Sequence, residues 1–456
     1  MSAADTATTS SSNLIRQLGV RDSIAIVMGT MIGSGIFLVP GPIARELYPL
    51  ASVILVWLVG GALSMFGALS LGELGAMFPS AGGLYVYLVH AYGRGLGFVY
   101  GWAVLVLIHT GMIATMAVGL GTYIAPLFGL SILGQKALQI GAIGILTVIQ
   151  CLGVKLGKSV QNLLTAAKVG GLAFMVVLLF WHGSTDRLTR NFWPASNSGF
   201  ALAGFGIALI ATLWAYDGWH VVSFTAGEVK NPARTLPLSL FVGTLLTVVI
   251  YVIANIAYYA VLEPAAIRSS DRVAGLAMSQ VSRGQATNFI FFLIILSILG
   301  AMNGSIFTTP RVTWAMAREG LFFRVFGRVN PRYHTPDVAI MFQGVWASLL
   351  TLIGSFQDLF TYVIFMAWIF YGLSVAAVIV LRIRRPELPR PFRCPGYPYA
   401  PALFLIATAA LIANTVVADP KHALLGICLA LCGFPLYFVF RRSGESVTTS
   451  RSTVPE

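Results

Sequence analysis

Long apolar stretches dominate the chain, and only short polar connections separate them. Twelve of these stretches approach or exceed the ~20 residues that a membrane-spanning helix needs. They cover residues 23–47, 51–78, 97–125, 136–153, 159–181, 199–222, 236–262, 286–316, 338–356, 359–381, 400–418 and 423–440. The connections leave no room for a separate soluble domain. The pattern predicts an all-α integral membrane protein with twelve transmembrane helices.

Two of the predicted spans are interrupted near their middles. The first contains IVMGTMIGSGIF at residues 26–37, and the sixth contains LWAYDGW at residues 213–219. Glycine pairs and an aspartate weaken a helix in lipid, and irregular backbone survives there only where it lines a cavity enclosed by protein. We therefore expect discontinuous helices 1 and 6, a binding site between them, and hinges at Gly33 and Gly218.

The two interrupted spans each begin a run of five spans, at residues 21–181 and 199–381. Because five is odd, the second run starts on the opposite side of the membrane, which predicts a 5+5 inverted repeat. Residues 400–441 supply two additional helices. The polar ends, 1–20 and 442–456, are predicted to be disordered tails, and the first has no apolar core that would make it a signal peptide.

Composition and charge exclude a soluble enzyme. Hydrophobic residues make up 57% of the chain and charged residues only 10%, whereas soluble domains carry about 25% charged residues. The net charge of +13 does not indicate nucleic-acid binding, because lysine and arginine gather in the loops on the side of both termini. That bias predicts a multi-pass protein of the cell membrane (plasma or inner) with cytoplasmic termini. The basic segment 311–332 is expected to lie at the cytoplasmic interface.

The two interruptions offer complementary charges. A helix that resumes near Ile36 presents unpaired N–H groups and a positive dipole end, which suit a carboxylate. Carbonyl groups near Met31 and Trp214 lose their helical partners and suit an amine. N–H groups at one helix end and carbonyl groups at another together suit a zwitterion. The α-amino acid head group is the commonest zwitterion. The alternative is close helix packing, because Gly29 and Gly33 form a small-xxx-small pair.

Three ionisable residues lie at membrane depth. Lys168 stands about ten residues into the fifth span, too deep to reach water easily, so it needs carbonyl or carboxylate partners. Its positive charge could replace a coupling cation during transport, or it could be a structural cation that satisfies the carbonyl groups at a helix end. The two roles do not exclude each other, and a role in the mechanism is favoured. Asp217 is a candidate for amine or proton binding, but an N-cap role for the resuming helix is favoured. Glu73 is expected to pair with an arginine of the inner loops.

No pattern indicates a cofactor, a metal or an enzyme. The six histidines are scattered without metal-ligand spacing, and the four cysteines suggest no disulfide. Nucleophile–base motifs and phosphate loops are absent from the sequence.

Three motifs together resemble the amino acid–polyamine–organocation superfamily, specifically its L-amino acid transporter branch. They are GTMIGSGIF at residues 29–37, ELGAMFPSAGGLYVY at 73–87, and WAYDGW at 214–219 with the following EVKNP at 228–232 and Pro237. The resemblance implies a LeuT-like fold that carries amino acids by alternating access.

The resemblance also implies roles for single residues. Backbone N–H groups of Ser34, Gly35 and Ile36 would hold the substrate carboxylate. Carbonyl groups of Met31, Trp214 and Asp217 would hold the amine, and Trp214 would serve as a gate. Lys168 matches a lysine that stands where sodium-coupled relatives bind an ion, which implies sodium-independent transport. Animal members carry an outward cysteine between spans three and four that links a glycoprotein subunit. Residues 121–136 contain no cysteine, so no disulfide-linked heavy chain is expected.

The predicted function is a sodium-independent carrier of neutral L-amino acids, either an exchanger or a proton-coupled system. A carrier of cationic amino acids or polyamines is the alternative within transport. An amino acid sensor built like a carrier is the alternative from another class.

Overall fold

A computed structural model describes residues 14–193, 202–282, 286–353 and 356–441, and its regular structure is helical throughout these ranges. The first half contains α1 (Val20–Met31), α2 (Gly35–Leu38), α3 (Pro40–Glu46), α4 (Leu50–Met77), α5 (Leu84–Tyr92), α6 (Arg94–Ala103), α7 (His109–Phe128), α8 (Ile132–Cys151), α9 (Val154–His182) and α10 (Thr185–Phe192). A π-helical segment, Val104–Ile108, joins α6 to α7.

The remainder contains α11 (Leu202–Ala215), α12 (Pro232–Val261), α13 (Pro264–Ser269), α14 (Val273–Ser282), α15 (Ala286–Thr308), α16 (Pro310–Arg318), α17 (Asp337–Ile353), α18 (Phe356–Arg384), α19 (Tyr399–Ala418) and α20 (Pro420–Leu431). Two 3-10 segments, Val221–Glu228 and Arg324–Gly327, follow α11 and α16. The short helices α10, α13 and α14 lie in connections that the hydrophobic pattern left as loops.

Ten helical segments among the described residues are long and apolar enough to cross a membrane. Two shorter apolar helices, Gly204–Ala215 and Asp337–Ile353, fall at the sixth and ninth predicted spans. The predicted all-α membrane architecture is therefore confirmed. The sixth span is short because its regular helix stops at the second interruption.

Both predicted interruptions are present, and we call them the first and the second break. The first break comprises residues 32–34, between α1 and α2. Val39 keeps helical angles (φ −81°, ψ −26°), so α2 and α3 follow one another with little change of direction. The second break comprises residues 216–220, between α11 and the 3-10 segment Val221–Glu228. Each break thus separates two helical portions of one span.

The helices around the breaks pack reciprocally. α1 packs on α12, α11 packs on α4, and α4 and α12 pack on each other. α9 and α15 also contact α1. Each broken helix therefore lies against the helix that follows the other break. This reciprocal packing supports the inverted-repeat interpretation.

The segment before α1 corrects one prediction. Residues 14–19 were assigned to a disordered tail, yet Leu14 and Leu18 are buried. Leu18 forms a parallel β-bridge with Val229, and the Lys230 N–H donates to the Leu18 carbonyl at 2.8 Å. Two apolar side chains at a four-residue spacing give this segment a reason to pack. The other tail residues, 1–13 and 442–456, lie outside the described range.

Two ion pairs join distant parts of the chain, one wholly buried and one with a partly exposed arginine. Arg311 donates to both carboxylate oxygens of Glu228, at 2.9 and 3.0 Å, and both side chains are wholly buried. Arg311 therefore does not lie at an interface, as its place in the basic segment 311–332 suggested. Glu73 accepts from Arg382 at 2.9 Å and from the Cys394 N–H at 2.7 Å, so the expected pairing of Glu73 with an inner-loop arginine is present.

Candidate functional site

A cavity of about 100 Å³ lies between the two breaks. Seven of its wall residues come from the breaks and their edges: Thr30, Met31, Gly33, Ser34, Trp214, Ala215 and Asp217, with Gly35 beside them. The remaining wall comes from α7, α15 and α18 and is mostly apolar: Met112, Thr115, Met116, Gly119, Ile298, Ala301, Val363 and Ile364. The sequence pointed to the breaks but gave no signal for the α7, α15 and α18 residues, because they are ordinary span residues.

The first break supplies hydrogen-bond donors to this cavity. The N–H groups of Ser34, Gly35 and Ile36 have no hydrogen-bond acceptor among the described residues. They are the first amides of α2, where a helix normally leaves donors unpaired. Three free donors at a helix start favour an anion, and a carboxylate is the simplest one that the cavity could hold.

The carbonyl groups before the first break are already occupied. The Lys168 ammonium is wholly buried and donates to Gly29 at 2.6 Å, to Ile32 at 2.7 Å and to Ser297 at 3.3 Å. Lys168 thus satisfies the end of α1 and joins it to α15. The ammonium takes the place beside unwound carbonyls that a bound cation would take.

Met31 differs from its predicted role in one respect. Its carbonyl oxygen accepts from the Tyr251 hydroxyl at 2.9 Å and from the Gly33 N–H at 2.9 Å. A carbonyl oxygen has two lone pairs, so an amine contact at Met31 requires that one of these bonds be broken. Tyr251 was missed by sequence reasoning, because a tyrosine inside an apolar span is usually a packing residue.

The two breaks touch each other through glycines. A Cβ atom on Gly35 would lie 2.9 Å from the Ala215 Cα, and one on Gly218 would lie 2.9 Å from the Thr30 carbonyl carbon. Gly218 also has φ +107°, a conformation that favours glycine. By contrast, a Cβ on Gly33 would meet only the Ala301 side chain, at 3.8 Å. Gly35 and Gly218 are therefore the positions where the close approach demands glycine.

Asp217 faces the cavity and is not a helix cap. The 3-10 segment after the break begins at Val221, its N-cap is His220, and no side chain caps it. The buried Asp217 Oδ1 atom has no hydrogen-bond partner among the described residues. The favoured N-cap interpretation was therefore wrong.

Trp214 forms part of the cavity wall at the end of α11. Its carbonyl oxygen accepts from the Asp217 N–H at 3.0 Å, which turns the chain at the break. The side chain is half-buried. Its role as a gate stays a prediction.

The chain is similar to known proteins over nearly its whole length. The amino acid permease family matches residues 18–433. The serine/threonine exchanger SteT of Bacillus subtilis is 32% identical over 441 residues, which cover 96% of this chain and all of that protein. The human b(0,+)-type amino acid transporter 1 is 31% identical over 94% of this chain and 88% of its own length. The human cystine/glutamate transporter is 29% identical over 94% of this chain and 85% of its own length.

Proposed function

Because this chain belongs to the amino acid permease family of membrane transporters, we propose that it carries small neutral L-amino acids by alternating access and without sodium. Transport of amino acids across a membrane follows from its relatives, and the chain is not an enzyme. The substrate class, the coupling and the residue roles below are the proposal.

One observation supports the proposal most strongly: the cavity wall brings three free N–H donors of the first break together with Asp217 of the second break. The donors at Ser34, Gly35 and Ile36 would hold the substrate carboxylate. The Asp217 side chain, with the carbonyls at the end of α11, would hold the α-amino group. These groups belong to different breaks, so a zwitterion would bridge them. A hinge movement at Gly218 would then change how tightly the substrate is held.

Charge balance favours a neutral side chain over a cationic one. Asp217 is the only ionisable residue in the cavity wall that the structure describes, and Lys168 lies behind the first break. Their opposite charges offset each other, and a zwitterion adds no net charge. The side chain of arginine or a polyamine would add a positive charge without a second carboxylate, which is costly in a buried site.

The size of the cavity favours small substrates. The cavity is small, about 100 Å³, and the exchanger SteT, to which this chain is similar, is named for serine and threonine. We therefore propose alanine, serine and threonine as substrates. Thr115 adds one hydroxyl to an otherwise apolar wall. A large aromatic side chain would need the wall to move.

Lys168 supports sodium independence. Its ammonium already donates hydrogen bonds to the carbonyls of Gly29 and Ile32. These carbonyls therefore need no sodium ion as a partner. We further propose that the protein lies in the plasma or inner membrane with cytoplasmic termini, and that it works without a disulfide-linked subunit. The described cysteines are free, and none lies between α7 and α8.

Counterflow in proteoliposomes tests the substrate assignment. Vesicles loaded with unlabelled serine should accumulate labelled serine, alanine and threonine, and should ignore arginine and putrescine. Replacing external sodium with choline should leave the rate unchanged. Rapid arginine uptake would overturn the substrate class, and loss of uptake in choline would overturn the role given to Lys168. Gly206→Ala, which adds a methyl group where nothing lies within 4 Å, is the control for reconstitution.

A further inference from the structure

A cavity of about 490 Å³ lies beside the β-bridge between Leu18 and Val229, and we call it the basic cleft. Two of its wall residues, Arg16 and Gly227, each stand two positions from a residue of the bridge. Trp314, Arg318 and Glu319 supply the wall on the side of α16. None of the wall residues of the basic cleft lines the substrate cavity. In the proposed orientation of the protein, the basic cleft opens to the cytoplasm.

Two arginines on one face of α16 have different partners. Arg311, Trp314 and Arg318 stand three and then four positions apart, a spacing that places side chains above one another along a helix. Arg311 is paired with Glu228. Arg318, two turns later, forms no ion pair or hydrogen bond among the described residues, and its guanidinium carbon lies 5.9 Å from the centroid of the Trp314 ring. The second arginine therefore brings an uncompensated charge to the basic cleft.

Arg16 brings another uncompensated charge from a distant part of the chain. Its segment is held in place on both sides, because Leu14 is buried and the Gln17 N–H donates to the Glu228 carbonyl at 2.8 Å. Arg16 itself is exposed, and its guanidinium has no ion pair or hydrogen bond in the part of the chain that the structure describes. Two cations in the wall of one cavity repel each other, and an anion between them reverses that repulsion.

The indole of Trp314 supplies a buried donor to the same wall. Its side chain is only 6% exposed, and its Nε1 atom has no hydrogen-bond acceptor among the residues described. An indole N–H can only donate, and buried donors almost always have a partner. An acceptor bound in the basic cleft would supply the partner that the protein does not.

One carboxylate, that of Glu319, also lies in the wall. It accepts from the Tyr85 hydroxyl at 2.8 Å, and the Glu319 carbonyl accepts from Arg94 at 2.6 Å. Its carboxylate forms no ion pair with Arg16 or Arg318. These three arginines and one carboxylate leave the basic cleft with an excess of positive charge.

We propose that the basic cleft binds a phosphate group and that the bound phosphate keeps this side of the carrier closed. Donors reach the cleft from Arg16, Arg318 and Trp314, and a phosphate offers three acceptor oxygens where a carboxylate offers two. The guanidinium group also matches phosphate in shape and charge. The phosphate belongs either to a soluble metabolite or to the head group of an anionic lipid.

The effect on transport follows from the segments that the ligand would join. Arg16 belongs to the segment ahead of α1, and Arg318 ends α16. Movement of that segment away from α16 would separate the two arginines and destroy the site. A ligand that binds one conformation better shifts the population toward it, so the phosphate would oppose opening. This part of the inference rests on the proposed function, whereas the binding site does not.

Calorimetric titration of the purified protein with inorganic phosphate tests the site. Arg16→Gln, Arg318→Gln and Trp314→Phe should each weaken the affinity about tenfold, because each removes a hydrogen bond to a charged group. Trp314→Phe keeps an aromatic ring beside Arg318 and removes only the N–H donor. Arg324→Gln, which changes an exposed arginine outside the basic cleft, is the matched control and should bind phosphate as the wild type does.

Glu319→Gln gives a prediction of the opposite sign. It removes the one negative charge that we find in the wall, so phosphate should bind more tightly. An excess of serine should not displace phosphate, since the two cavities are separate. Competition by serine would mean that the basic cleft belongs to the substrate path, and it would overturn the proposal.

Serine counterflow tests the effect on transport and distinguishes the two sources of phosphate. With phosphate on both sides of phosphatidylcholine vesicles, at about ten times its dissociation constant, counterflow should slow about tenfold, because only the unliganded fraction can open. Slowing by phosphatidic acid in the bilayer, without added phosphate, would assign the lipid head group as the source. In either case Arg318→Gln should remove the slowing and keep the basal counterflow.

The outcomes separate this inference from the proposed function. Failure of the wild type to bind phosphate, or equal binding by a variant that combines Arg16→Gln with Arg318→Gln, would overturn the site. Counterflow that neither phosphate nor phosphatidic acid slows would overturn its effect on transport. Absence of serine counterflow in the wild type would overturn the proposed function, while the calorimetric result for phosphate would still stand.

Discussion

The first break contains no aromatic residue, whereas the second contains three, Tyr216, Trp219 and His220. In the first, Lys168 and Tyr251 donate to the carbonyls of Gly29, Met31 and Ile32. In the second, the Tyr216 ring stacks on Tyr251 at 5.2 Å and meets Trp57 edge-on at 5.5 Å. The first break is therefore held by hydrogen bonds from neighbouring helices, and the second mainly by aromatic packing.

From this difference we infer that the two breaks have different roles in transport. A break held by a buried ammonium keeps its shape as long as the charge is present, and it can hold a carboxylate at fixed N–H groups. A break held by ring packing can slide, and Gly218 gives it a point of rotation. We expect the first break to fix the substrate and the second to move. The following substitutions test that comparison, in order of decreasing effect.

Gly35→Val should abolish uptake while the protein still inserts in the membrane. Its Cβ would press on the Ala215 Cα at 2.9 Å, and backbone cannot move aside as a flexible side chain can. The breaks would separate and the N–H donors would lose their positions. Labelled serine uptake, normalised to the reconstituted protein, measures the effect.

Gly33→Ala is the matched comparison within the same break. Its methyl group would make only an ordinary contact, at 3.8 Å from the Ala301 side chain. Substantial uptake should remain. Equal loss in Gly33→Ala and Gly35→Val would mean that backbone flexibility matters there, and not the contact with Ala215.

Gly218→Ala should lower the rate strongly and affect binding less. A residue with a Cβ at φ +107° carries a strain of about 1–3 kcal/mol, and the methyl group would also press on Thr30 at 2.9 Å. Serine affinity by calorimetry and uptake rate in vesicles separate the two effects. If affinity falls as much as rate, the second break is a binding element more than a hinge.

Lys168→Ala should impair transport more than expression. The substitution leaves the buried carbonyls of Gly29 and Ile32 without their donor, which costs about 1–3 kcal/mol for each unsatisfied group. Lys155→Ala removes an exposed lysine from the same helix, α9, and serves as the control. An unchanged uptake rate in Lys168→Ala would mean that this lysine has only a structural role. Uptake that becomes sodium-dependent would instead strengthen the ion-replacement assignment.

Apart from the comparison variant Gly33→Ala, Tyr251→Phe should have the smallest effect of these substitutions. It removes the hydrogen bond to the Met31 carbonyl but keeps the ring that stacks on Tyr216. One hydrogen bond contributes about 1 kcal/mol, or about fivefold in an equilibrium. A fivefold weaker serine affinity with little change in rate would place this bond in the fixed part of the site. A loss as large as that of Gly218→Ala would contradict the division between the breaks.

The sequence predicted the architecture well because its signals are local. Length and hydropathy define each span. Gly33 and Gly35 mark the first break, and the run around Asp217 marks the second. It predicted the state of Asp217 less well, because a cap depends on where the next helix begins. It could not predict the Tyr251 bond or the Arg311–Glu228 pair, because each joins residues that are distant in sequence. Such contacts arise only once the helices pack.

The short β-bridge between Leu18 and Val229 has a mechanical consequence. It ties the chain ahead of α1 to the chain behind the 3-10 segment by backbone hydrogen bonds. Because movement of either segment alone would break these bonds, we expect the two segments to move together when the carrier changes conformation. Such a connection would oppose partial opening, in which only one of the two segments moves.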